Sequence, residues 1–196
     1  MKKLTLIVLL FTSTLSFSQI ATDGYKYNHN NNFSSAKEWN KERSLFLAKS
    51  YLFKNVLGTT DKALKFNIIP VEAAKSGELT TLFYKCEELN KSGMILSFWG
   101  NYWNESGVVF KGYAFKNLEK AKTISFLNKI ESVIDENLEY LREDYDNNNI
   151  SFDFDDIQVL IWVNVGYKIR VFWNGFDSTL DWRAFEKIKK DFEKKF

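Results

Sequence analysis

The sequence predicts an α+β fold: a single, largely antiparallel sheet of about six strands packed with three amphipathic helices, in the order α-β-β-β-β-α-β-β-α. Three observations predict it. Runs of alternating apolar and polar residues are joined by short turns, the mark of antiparallel neighbours. Three other stretches repeat apolar residues at helical spacing. The strands come in runs and do not alternate with helices, which argues against a doubly wound parallel sheet.

The chain opens on Lys2 and Lys3, then the apolar run Leu4 to Phe11, then Ser16-Phe17-Ser18 ahead of Gln19. This order reads as a signal peptide over residues 1–18. The apolar run is about 8 residues, short of the roughly 20 that span a bilayer, so no membrane span is expected after cleavage. The expected location is therefore the periplasm or the outside of the cell. Residues 19–33 form a polar arm centred on Asn28-His29-Asn30-Asn31-Asn32, and residues 34–196 read as one domain.

In that domain, Ser35 with Glu38 has the capping-box spacing, and Leu45, Ala48, Leu52 and Val56 carry a helix to Leu57-Gly58. Strands follow at Leu64–Val71 and Glu78–Cys86. A hairpin joins Met94–Trp103 to Val108–Phe115 through Asn104-Glu105-Ser106-Gly107, with Gly107 left-handed in a bulged three-residue loop. Pairing Asn104 with Val108 then sets Tyr102 opposite Phe110, Gly100 opposite Gly112, and Phe98 opposite Ala114.

Asn117 is placed to cap one long helix from Leu118 to Tyr145, with Ile124, Leu127, Ile130, Ile134, Leu138 and Leu141 as its stripe. Ile157, Val159, Ile161 and Val163 alternate with Gln158, Leu160, Trp162 and Asn164, and Gly166 turns the chain into Tyr167–Trp173. A last helix puts Phe185, Ile188, Phe192 and Phe196 on one side, with lysines near its negative end.

Composition narrows the function classes. The chain has 27 Lys+Arg against 25 Asp+Glu; Lys2 and Lys3 account for the excess, since no acidic residue precedes Asp23. The remainder is neutral, which gives no reason to expect a nucleic acid partner. The single cysteine, Cys86, shares a strand face with Leu82 and Tyr84 and reads as a buried thiol. One histidine, His29, removes most histidine-based triads and metal sites. No phosphate-binding glycine loop is present. An enzyme is not the expectation, and no cofactor is implied.

Two constellations remain. In Phe98-Trp99-Gly100-Asn101-Tyr102-Trp103, alternation puts Trp99, Asn101 and Trp103 on one face. Phe98 and Tyr102 fall on the other, where Phe110 borders a depression left by Gly100 and Gly112. Indoles flanking an amide suit a sugar or another flat ligand; core packing on both faces is the competing reading. The second constellation is acidic. Asp144, Asp146, Asn148 and Asp155 fall at positions 1, 3, 5 and 12 of a calcium loop. Asn149 stands where that loop needs glycine, and a strand follows in place of a helix.

The sequence therefore points to a non-catalytic binding module whose aromatic hairpin takes a glycan, small ligand or protein partner. A structural or assembly protein of the cell envelope is the alternative. A hydrolase using paired carboxylates is a weaker one.

Overall fold

The computed structural model describes residues 33–196 except 59, 72–78 and 104–108, with residues 33–41, 101–103 and 109–110 described by backbone alone. The signal peptide, the polar arm with His29, the side chains of Ser35 and Glu38, and the Asn104–Gly107 turn all lie outside these residues. Phe33–Phe196 forms one compact unit.

In chain order the elements are α1 (Phe33–Tyr51), a π-helical turn (Leu52–Leu57), β1 (Asn67–Val71), β2 (Leu79–Cys86), β3 (Lys91–Trp103) and β4 (Val109–Glu119). Then come α2 (Lys120–Glu136), α3 (Leu138–Glu143), β5 (Asn149–Phe154), β6 (Ile157–Val163), β7 (Tyr167–Trp173), β8 (Phe176–Asp181) and α4 (Trp182–Lys195). The strands form two four-stranded antiparallel sheets, β1-β2-β3-β4 and β5-β6-β7-β8, with four α-helices among the described residues.

This corrects the expectation of one six-stranded sheet with three helices. Two strands had been passed over. β5, Asn-Ile-Ser-Phe-Asp-Phe, alternates exposed and half-buried residues inside what looks like an acidic turn. β8 buries Phe176, Ser178 and Leu180 and runs straight into α4 with no intervening loop. The long central helix is also two. Asn137 leaves helical geometry at φ −129°, its Nδ2 donates to the Val133 carbonyl and its N–H donates to Ile134. Asn117 caps nothing: it lies in β4, and extended Glu119 occupies the N-cap of α2 without a side-chain cap.

The two halves share an element order, a four-stranded meander followed immediately by an amphipathic helix. Between them lies the main core. Phe83, Met94, Leu96 and Phe98 of the first sheet meet Val159, Ile161, Ile169 and Val171 of the second, with Ile130 of α2 and Phe185, Ile188 and Phe192 of α4. Burying such side chains contributes about 1.5–3 kcal/mol each.

α1 covers the opposite face of the first sheet. Ala48, Leu52, Val56 and Leu57 pack on Leu82, Tyr84, Cys86 and Ile95, which confirms the buried placement of Cys86. The helix ends in a wider π turn, with the Gly58 N–H donating to the Phe53 carbonyl, and Leu52, Val56 and Leu57 of that turn are all buried. Where α1 crosses the sheet, Ser44 Oγ lies 3.1 Å from Thr80 Oγ1 and 2.5 Å from Ser97 Oγ.

Candidate functional site

The predicted hairpin register holds wherever it is described: Tyr102 opposes Phe110, Gly100 opposes Gly112 and Phe98 opposes Ala114. The described register of β2 ends at Leu79–Phe98. Beyond it, Trp99–Trp103 pair with Val109–Tyr113, an arm of two strands among the described residues.

The two faces of this arm have different fates. On the inner face Phe98 is fully buried, with its ring 6.1 Å from that of Trp173. The expected depression is partly filled: a Cβ built on Gly112 would sit 3.2 Å from the Phe176 ring. Phe98 therefore belongs to the core and not to a ligand surface. Tyr102 and Phe110 occupy inner-face positions, and their side chains lie outside the described residues.

The outer face is the continuation of the surface that α1 covers. Trp99 is half-buried and directly opposite Tyr113, with ring centroids 6.4 Å apart and planes tilted by 42°. Lys111, the cross-strand partner of Asn101, holds its ammonium 5.4 Å from the Trp99 ring. The Arg43 guanidinium, from α1, lies 5.9 Å from the Tyr113 ring. Burial pushes the Tyr113 phenol up from its ordinary range, while the Arg43 charge pulls the other way. Asn101 and Trp103 follow Trp99 in register on this face.

Sequence reading had marked Trp99, Asn101 and Trp103 and missed the other three. Counting the same register would have found Tyr113 and Lys111. Arg43 comes from a distant helix, and nothing local announces it.

No family model, curated protein or solved structure matches this chain. Function must be read from the surface itself.

The acidic constellation is not brought together. Asp144 ends α3, ahead of β5, and Asp155 follows β5, so the whole six-residue strand, about 20 Å long when extended, runs between them. Asp144 accepts from Asn147 Nδ2, and Asn148 Nδ2 donates to the Tyr140 carbonyl. Asp146 adopts a left-handed φ of 69° and donates its N–H to Val163. Asp155 pairs with Lys122 at 2.5 Å. Among the described residues no group of three or more metal-binding side chains gathers.

Two clefts remain. One, of about 480 Å³, lies between the β5–β6 and β7–β8 turns and holds Asp153, Asp155, Asp156 and Asp177. Asp156 accepts two bonds from Lys116 and one from Trp173 Nε1, and these hold its carboxyl below the usual range. Arg170 occupies Asp177. Acid–base hydrolysis needs one carboxyl kept protonated, and Asp156 is driven the other way.

The second cleft, about 570 Å³, lies between the π turn and the start of α2. On its wall Tyr84 donates to Asn117 Oδ1 at 2.8 Å, and Lys91 donates to the Val56 carbonyl at 2.5 Å. Burial pushes the Tyr84 phenol up to about 12. This phenol stays a neutral donor across the physiological range.

Proposed function

We propose that this chain is an exported, non-catalytic binding protein, and that the outer face of the β3–β4 arm takes a glycan. The observation that carries the reading is the Trp99–Tyr113 ring pair, exposed in part and bracketed by Lys111 and Arg43. A pyranose presents a face of weakly positive C–H groups that suits the negative face of an aromatic ring. Asn101 and Trp103, in register beside Trp99, would extend the platform with an amide and a second indole. Asp156, held below the usual carboxylate range by Lys116 and Trp173, gives the hydrolase alternative no general acid at that position.

The test is tryptophan fluorescence against a panel of soluble oligosaccharides. Binding that shifts the emission of the wild type and is lost in Trp99→Ala supports the reading. A response that Trp99→Ala leaves intact removes it.

One observation favours the assembly alternative. On the outer face of the second sheet, Leu160, Trp162 and Phe172 are half-buried yet belong to neither core. The flanking cations are neutralised within the chain, Lys168 by Asp181 and Arg170 by Asp177. That face is therefore not set against a second copy of itself by charge. Light scattering tests self-assembly through this face: a dimer that Trp162→Glu returns to monomer would favour it, and a monomer at all concentrations would exclude self-assembly.

A further inference from the structure

We propose that the glycan is acidic, its sugar rings bearing carboxylates as in a uronic acid oligomer. This rests on the glycan-binding reading above and names the class of ligand for the same face.

The charge arrangement around the rings carries the inference. Trp99–Tyr113 and Asn101–Lys111 are successive cross-strand pairs of one face, so Lys111 borders the ring pair from the tip side of the arm. Arg43 borders it from the α1 side. Elsewhere in the described residues, Lys116 pairs with Asp156, Lys122 with Asp155, Lys168 with Asp181, Arg170 with Asp177 and Lys189 with Glu131, and Lys116 and Arg170 also lie over the Trp173 and Phe172 rings. Lys111 and Arg43 lie over rings as well, like Arg142 over Tyr167, with no carboxylate in ion-pair range among the described residues, and they differ in flanking a single ring pair together.

A cation over an exposed ring is held weakly, and a charge-assisted bond to a carboxylate is stronger. An incoming acidic sugar can therefore take the place of the Lys111 ammonium on the Trp99 ring while its carboxylate accepts from that ammonium. Arg43 offers a planar fork matched to a carboxylate of the neighbouring sugar. A neutral sugar would displace Lys111 from the ring and offer its ammonium only the weaker hydroxyl acceptors.

The experiment compares galacturonic acid oligomers with neutral galactose oligomers of the same length by calorimetric titration of the purified protein. Lys111→Gln and Arg43→Gln are measured beside the wild type, and Trp162→Ala serves as an off-site control. Thermal midpoints establish that each variant is folded. The expected result is that acidic oligomers bind about tenfold tighter or more, that the margin shrinks as salt screens it, and that Lys111→Gln narrows it further. Equal affinity for both oligomers, insensitive to salt and to Lys111→Gln, would overturn the acidic assignment and leave the glycan reading standing. Binding of neither oligomer would overturn this inference, and the panel above then decides the parent reading separately.

Discussion

Replacing Ser44 by alanine tests how α1 is fastened over the first sheet. Ser44 Oγ bridges Thr80 Oγ1 at 3.1 Å and Ser97 Oγ at 2.5 Å, and all three residues are buried. Removing the bridge leaves two hydroxyls away from water, and each buried group left unpaired costs about 1–3 kcal/mol. Thr80 and Ser97 are themselves direct cross-strand partners, with Cβ atoms about 5 Å apart in such a pair. They can rotate to bond one another, which sets the expected loss for Ser44→Ala at about 1–2 kcal/mol. For a domain of this size, that lowers the thermal midpoint by roughly 2–8 °C. The informative variant removes all three hydroxyls: Ser44→Ala, Thr80→Val and Ser97→Ala together. With no polar atom stranded, its stability should return to within about 1 kcal/mol of wild type. Urea denaturation followed by circular dichroism measures both. A triple variant markedly less stable than Ser44→Ala alone would refute the reasoning, because packing and not polar satisfaction would then set the cost.

Other outcomes follow from single residues. Tyr84 is raised to about 12 in the folded chain by burial, against an unfolded phenol near 10. The folded state thus keeps its proton longer, so this contribution is complete below about pH 10 and is lost as pH rises toward 12. A loss of about 2–3 kcal/mol across that window is expected by pH-jump denaturation, and Tyr84→Phe should flatten it. Gly93→Ala should be severely destabilising, since the new Cβ would fall 2.2 Å from the Leu118 carbonyl oxygen. Near-normal thermal stability of that variant would contradict the packing of β3 against the β4–α2 junction. Val165 sits fully exposed at a φ of 51°, a conformation that costs a β-branched residue about 1–2 kcal/mol. Val165→Asn should therefore raise the thermal midpoint, and a fall would show that the β6–β7 turn is not strained.

How far the sequence was legible varied with the range of the interactions involved. The β3–β4 register could be counted from one glycine-containing turn, because a hairpin is local and its side chains alternate strictly. The amphipathic stripe of α4 was equally plain, with Phe185, Ile188 and Phe192 all buried. β5 and β8 were hidden for a physical reason. Their outward positions carry Asn149, Ser151 and Asp153 in one and Asp177, Thr179 and Asp181 in the other. Such residues look like turns until neighbouring strands supply the pairing. That the strands divide into two sheets is decided by long-range packing through the shared core, which no local period records. The site divided the same way. Trp99, its partner Tyr113 and Lys111 lie on one countable ladder, whereas Arg43 reaches the rings only because α1 crosses the sheet there.

The most direct test of the proposed ligand face is a two-dimensional nitrogen–proton spectrum of the indole N–H groups during titration with an acidic oligosaccharide. The chain has six tryptophans, and each contributes one resolvable signal assignable by substitution. If the β3–β4 arm binds, Trp99 and Trp103 move together and saturate at one affinity, while Trp162 on the second sheet and Trp173 and Trp182 beside the main core stay in place. Movement of Trp162 with Trp99 unmoved would contradict the proposal and shift attention to the second sheet.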